Sequence, residues 1–301
     1  MEPEQTSESK YPWYKYKRTR LDARFFAFWQ FLSATIIIVA TIMLIVDSFF
    51  TTSDDYGASS TAEENASTKN CNVEGLILRG DVVTYISPDG YNDNGDVIID
   101  EQSSENIVGR IEKAEKDNSI RAIILEVDSY GGSGVAGEEI ADALKNAKKP
   151  TVALIRGAGV SAAYWASTGA NKIFASKNSD VGGIGVTMSY LDDVKKNQND
   201  GYIYNQLSAG KFKDTGNPDK ALSQEEINLL MRDVNIMHNN FIQGVAENRK
   251  LDIEKVKNLA DGSSMLGEMA LANGLIDQIG GEFEAKKYLK EKIGQDVDVC
   301  W

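Results

Sequence analysis

Histidine, cysteine and proline are scarce in this chain of 301 residues, numbering one, two and five. The cysteines, Cys71 and Cys300, stand far apart, and one histidine cannot complete a ligand set. A structural zinc site is therefore excluded, and the residues suggest neither a metal nor a cofactor. Positive charge is also short. Thirty-two Lys and Arg against 45 Asp and Glu leave a net charge of -13. Such a surface excludes a nucleic-acid partner, because binding phosphates needs basic groups. No internal repeat is present. What remains is a chain long enough for one substantial core or two small ones, with 26 glycines in clusters.

One long apolar run stands out. From Phe25 to Val46 the sequence FFAFWQFLSATIIIVATIMLIV carries no charge, and about 20 such residues span a bilayer as a helix. Lys10, Lys15, Lys17, Arg18, Arg20 and Arg24 precede it, whereas Asp47, Asp54, Asp55, Glu63 and Glu64 follow it before the next lysine, Lys69. This asymmetry predicts a cytoplasmic tail over 1–24, a transmembrane anchor over 25–46 and an extracytoplasmic remainder. The run is longer than the apolar core of a cleaved signal peptide, and Asp47-Ser48-Phe49-Phe50 makes a poor cleavage site, so the anchor is expected to stay uncleaved. Residues 47–70 are small, polar and acidic, a flexible linker. The folded domain is expected over 71–301.

Within that domain, short apolar runs alternate with helical periodicity. Strands are expected at Gly75–Arg79, Val82–Ile86, Ala122–Val127, Thr151–Ile155 and Lys172–Ala175. Helices are expected at Asn106–Lys116, Val135–Ala147, Ser161–Thr168, Ser223–Arg249, Leu251–Ala260, Glu268–Asn273 and Glu282–Lys292. Ser223 with Glu226 three residues on forms a capping box for the longest of these. The alternation predicts an α/β fold with parallel strands.

Three segments carry candidate chemistry. Asp128-Ser129-Tyr130-Gly131-Gly132-Ser133-Gly134 joins a buried strand to a helix. Its backbone N–H groups can face an anion, a phosphate or an oxyanion, or can simply form a connection. In Arg156-Gly157-Ala158-Gly159-Val160-Ser161-Ala162-Ala163, a serine flanked by tiny residues enters a helix after a strand. It can be an exposed nucleophile beside helix N–H groups or an ordinary N-cap. Ser208-Ala209-Gly210-Lys211-Phe212-Lys213-Asp214 reads as a solvated loop, yet a serine nucleophile needs a base. The sole histidine, His238, lies inside the long helix and reads as a surface or packing residue, which leaves a lysine. An amine acts as a base only when deprotonated, so its site must strip away water.

These three segments, with Ala260-Asp261-Gly262-Ser263-Ser264-Met265-Leu266-Gly267, Ala270 and Gly274-Leu275-Ile276-Asp277, resemble the signal peptide peptidase A family in its short, single-domain form. The resemblance covers roughly residues 73 to 291, in order. It implies a Clp protease/crotonase-like fold built of ββα repeats and a membrane-anchored serine endopeptidase with a Ser–Lys dyad. Ser161 matches the nucleophile, Lys213 the general base and Gly132 an oxyanion-hole donor, with the N–H of Ala162 as the expected second donor. Remnant signal peptides and other unfolded or membrane-associated peptides are the implied substrates. The implied assembly is a ring-shaped homo-oligomer whose dyad is shared between subunits. Tyr130 stands where the family usually has proline, and Ala162 and Ala163 where it usually has glycines. Gly183 occupies the position of a serine that orients the base, a role Thr187, Ser179 or water would have to fill.

Two other readings compete: a non-catalytic membrane scaffold of the same fold, and a crotonase-type acyl-CoA enzyme. The acidic charge and the expected anchor speak against the latter. Cys71 and Cys300 flank the domain outside the expected membrane anchor, where a disulfide tying the first strand to the last can persist, and the sequence leaves open whether they pair or stay free.

Overall fold

The computed structural model describes residues 71–86 and 102–301. The expected tail, anchor and linker (1–24, 25–46 and 47–70) lie outside the described residues. Among those described, no helix is long and apolar enough to cross a membrane.

The first strand, β1 (Val73–Val83), is followed by β2 (Gln102–Ser103), α1 (Ser104–Lys116), β3 (Ala122–Gly132), α2 (Gly134–Asn146), β4 (Thr151–Val160), α3 (Ala162–Thr168), β5 (Lys172–Ala175) and β6 (Asp180–Gly182). Then come α4 (Val194–Asn199), α5 (Gln224–Arg249), α6 (Ile253–Leu259), β7 (Ser264–Leu266), α7 (Gly267–Asn273), β8 (Gln278–Ile279), α8 (Glu282–Ile293) and β9 (Val299–Cys300). The main strands run in the order β2-β1-β3-β4-β5-β8 and pair in parallel. Parallel pairing needs crossovers, and α2 and α3 supply them on one face.

Both faces of the sheet are covered, which explains why Ala122–Val127 is an unbroken apolar run and not an alternating one. Ile123, Leu125 and Val127 point into a core shared with Ile140, Leu144, Tyr164 and Val245. Ala122 and Ile124 point the other way, into a second cluster with Phe174, Ala285 and Leu289 of α8. Glu126 shares that second face and is buried, yet it is satisfied. Arg79 on β1 and Arg156 on β4 reach its carboxylate at 2.6 and 2.7 Å. Burial alone would raise its pKa, but the two guanidiniums outweigh burial and hold it below the usual carboxylate range.

The two strands expected at Gly75–Arg79 and Val82–Ile86 are one strand. Gly80 lies between them, and β1 accommodates it by a register shift between Arg79 and Asp81 and continues to Val83. β3 and β4 also outrun their apolar runs by five residues each, and those extensions carry the glycine segments to the edge where the site lies. The capping box on α5 forms as the sequence implied: Ser223 accepts the N–H of Glu226, and Glu226 accepts the N–H of Ser223.

At the other end of the strands, β9 pairs with the start of β1. Cys71 and Cys300 are disulfide-bonded there, with Cα atoms 5.7 Å apart.

Candidate active site

Ser161 is the single residue between β4 and α3, and the chain turns sharply through it. Its φ of 55° makes it one of two non-glycine residues with positive φ among those described. Such a conformation costs about 1–3 kcal/mol and persists only where the surroundings impose it. They do so on both sides. The Ser161 N–H donates to the Gly182 carbonyl at 2.8 Å, and its carbonyl accepts the Trp165 N–H at 3.0 Å. Every residue of α3 is buried, which the small side chains Ala162, Ala163 and Ala166 permit. A Cβ on Gly137 of α2 would come within 2.6 Å of the Ala162 carbonyl oxygen, so the two helices pack backbone against backbone there. The Ser161 hydroxyl makes no capping bond to the helix, and the residue opens onto a cleft of about 740 Å³. This volume lies within the range of small-ligand and peptide pockets.

The Gly131-Gly132 turn passes directly over the serine. A Cβ on Gly131 would lie 2.7 Å from the Ser161 Cβ, and one on Gly132 would lie 2.3 Å from the Val82 carbonyl oxygen. With φ of 112° and 149°, neither position suits a side chain. The turn is braced from below. Ser129 donates its hydroxyl to the Gly80 carbonyl at 2.6 Å and accepts the Gly131 N–H at 3.0 Å, while Asp128 accepts the Ala158 N–H at 3.0 Å. Ser133 donates its N–H to Val82, so the Gly132 N–H, one residue earlier in the strand, is directed to the opposite side. The β3–β4 pairing has already ended at Ser129 and Gly159. Gly132 and Ala162 both line the cleft.

Gly183 also lines it, with φ of 60°, and its N–H donates to the Ser263 carbonyl at 3.2 Å. A Cβ there would meet Val160 Cγ1 at 2.4 Å. Glycine is thus what this backbone demands. Of the suggested substitutes for the missing serine, Ser179 is ruled out: it is buried and its hydroxyl bonds to the Arg156 carbonyl, away from the cleft. Thr187 lies on the cleft wall.

Lys213 is elsewhere. It sits in an exposed turn of the arm that joins β6 to α5, residues 183–222, and it does not line the cleft. Lys211 beside it pairs with Glu225 at 2.6 Å. The single chain therefore brings together Ser161, Gly132, Ala162 and Gly183, and leaves Lys213 apart.

Two further residues carry more than the sequence revealed. Glu226, read only as half of a cap, also takes Lys220 and the Thr215 hydroxyl, tying the Lys213 arm to α5. The Lys220 ammonium foremost, with the Ser223 N–H, holds its carboxyl down to about 2. His238, half-buried on α5, lines the cleft of Ser161 with Met237 and Phe241. Only the positions of α5 relative to α3, set by contacts such as the stacked Trp165 and Phe241 rings at 4.9 Å, reveal this.

A parallel sheet covered on both faces, crossed over by helices and carrying a strained serine at a strand–helix elbow, defines a Clp protease-like α/β domain. The Clp protease family model matches residues 96–181. The chain belongs to peptidase family S49, the signal peptide peptidase A family, whose model matches residues 143–296. It is 35% identical over 205 residues to a protein of Methanocaldococcus jannaschii named as a protease, covering 67% of this chain and 66% of that one. It is 31% identical over 238 residues to a protein of Enterococcus faecium named as a signal peptide peptidase SppA, covering 77% and 66%. The matches thus span just under two thirds of these relatives. Among solved structures, a ClpP1 mutant from Listeria monocytogenes superposes with a TM-score of 0.44 and 16% identity, over 70% of this chain and 93% of that one.

Proposed function

We propose that this protein is a membrane-anchored serine endopeptidase acting through Ser161 and Lys213. The observation that carries the reading is the Ser161 elbow: a serine held at positive φ, with its side chain released from capping and facing a cleft. Strain of this kind at a strand–helix turn presents a hydroxyl for nucleophilic attack. Ser161 would attack the scissile carbonyl while Lys213 accepts its proton. The N–H groups of Gly132 and Ala162 would hold the oxyanion, where one lost donor costs about 10²–10³ in rate. Lys213 would then protonate the leaving amine, and water would release the acyl group.

Because Lys213 lies outside the cleft of its own chain, the base is expected to come from a neighbouring subunit in a ring-shaped homo-oligomer. The arm supports this: Leu191, Ile203 and Leu207 are 91%, 83% and 98% exposed, as are parts of Met231, Ile236 and Met237 on α5. Apolar surface of this extent is what subunit contacts cover. Docking against a neighbour would strip water from Lys213, the condition under which an amine serves as a base. Remnant signal peptides and unfolded or membrane-associated segments are the expected substrates. The anchor at residues 25–46 would hold the domain at the extracytoplasmic face of the cell membrane, with the N-terminus in the cytoplasm.

The test is hydrolysis of an unstructured apolar-rich peptide by the full chain, beside Ser161→Ala and Lys213→Ala. Loss of activity in both variants, with folding and assembly retained, is expected. Equal inertness of all three would favour the scaffold reading.

A further inference from the structure

A second hollow, of about 1380 Å³, lies between α1 and α2. Tyr85 and Ile86, just past the end of β1, are 62% and 38% exposed there, and Val108, Ala143 and Ala147 add apolar wall. Gly109 of α1 also lines it, and a Cβ at that position would meet nothing within 4 Å. Glycine inside a helix is destabilising relative to alanine. No close approach among the described residues requires it here, and what its bareness provides is room in the groove. Five carboxylates, Glu105, Glu112, Glu115, Glu139 and Asp142, stand against the single Lys116. Three of them are engaged: Glu112 with Lys116 at 3.9 Å, Glu115 with the N–H groups of Lys148 and Lys149, and Glu139 with the Ser104 hydroxyl. Glu105 and Asp142 are exposed and, among the described residues, pair with no cation.

The groove and the Ser161 cleft share one exposed stripe of α2. Val135 and Glu138 line the cleft, Glu139 and Asp142 line the groove, and all four are exposed, while Ala136, Gly137, Ile140, Ala141 and Leu144 form the buried side. From Glu138 to Asp142 is about one helical turn, roughly 6 Å, which an extended peptide covers in about two residues. We propose that the groove is a second peptide-binding site, holding a basic segment (Lys or Arg among apolar residues) of a peptide whose scissile bond lies at Ser161. This rests on reading the cleft as the peptide site. Charge decides among the occupants. Residues 87–101, which follow Ile86 in the chain, carry Asp89, Asp93, Asp96, Asp100 and Glu101 and no lysine or arginine. A second copy brings a net charge of -13. The lysines and arginines before the expected anchor would lie across the membrane. A peptide entering the cleft is the chain that can carry cations to this edge. Two exposed ion pairs, to Glu105 and Asp142, correspond to about 2- to 30-fold in affinity.

The experiment uses the full chain in detergent and one apolar-rich peptide extended by four lysines or four glutamines, on the amino or the carboxyl side of its scissile segment. Wild type is expected to favour a lysine peptide over its glutamine counterpart by that factor in kcat/KM, through KM, and less so at high salt. Glu105→Gln with Asp142→Asn removes the partners of the cations, and Gly109→Met fills the groove without a clash. Each should erase most of the advantage, with melting temperature unchanged and the glutamine peptides cut as before. An advantage that survives in both variants overturns the inference, since it then reflects the overall negative charge. So does the absence of any advantage in wild type, or an equal loss with the glutamine peptides. Oligomers that dissociate in Gly109→Met, seen by sedimentation, would make the groove a subunit contact and overturn it too. The lysine peptides are also titrated onto Ser161→Ala chains by fluorescence anisotropy, with and without Gly109→Met. If wild type cuts nothing but this binding depends on the groove, the basic-peptide site stands and the peptidase reading falls. If wild type cuts the peptides and binding is indifferent to Gly109→Met, the inference falls on its own.

Discussion

Around the elbow, α3 is buried along its whole length and the neighbouring backbone is fixed from three strands. Between Thr187 and Lys220, by contrast, no residue is buried. The arm is knit mainly to itself, through Tyr204 to Asp214 at 2.7 Å and Asn197 to Asp219 at 2.8 Å, and is anchored to α5 through Glu225 and Glu226. The nucleophile half of the proposed site is thus a product of the core, complete in one chain. The base half is a surface feature whose apolar residues lack cover. Folding of the chain thus builds one half of the proposed site, and the other half would depend on what the arm meets.

The largest expected effect breaks the elbow at its centre. Ser161→Ala should lower peptide hydrolysis by about 10⁴-fold or more, with melting temperature unchanged or raised, because the hydroxyl makes no bond the fold needs. Activity assay beside thermal melting checks both parts.

A second comparison sets the disulfide against the elbow. It lies at the far end of β1 from Gly132, roughly 30 Å of strand away. Removing it by Cys71→Ser with Cys300→Ser should cost about 2–5 kcal/mol in denaturant unfolding. Cleavage below the unfolding transition should stay as in wild type.

Restoring serine at Gly183 should not help the enzyme. The positive φ and the 2.4 Å approach to Val160 Cγ1 make Gly183→Ser destabilising by about 1–3 kcal/mol, with lower activity, readable by melting and turnover together.

The smallest effect falls on the arm. The folded carboxyl of Glu226 sits at about 2 against an ordinary 4.5, so its contribution is complete above the ordinary value and is lost as pH falls through about 2. Glu226→Gln should remove that part of the acid dependence and loosen residues 208–223, seen as faster amide hydrogen exchange there and unchanged exchange in α3.

Much of the fold was legible because it rests on local signals: the apolar run at 122–127, the strand at 172–175, the capping box at 223–226 and the two cysteines at the domain's ends. The elbow was half legible, since Gly159-Val160-Ser161-Ala162 shows a serine among tiny residues but not its backbone strain. The place of His238 on the cleft was not legible, because only packing of α5 on Trp165 brings that part of the helix beside the elbow. Gly183 looked like a missing functional group, but its φ and its contact with Val160 are properties of three-dimensional crowding that no spacing reveals.

In the proposed assembly the two halves belong to different subunits, and co-assembly of two inactive variants tests this. Ser161→Ala and Lys213→Ala chains, each inactive alone, are mixed by dissociation and reassembly, and peptide hydrolysis is followed. Recovered activity is expected, because a Lys213→Ala subunit still offers Ser161 to an intact lysine from its neighbour. Mixed oligomers that form but stay inert would contradict it.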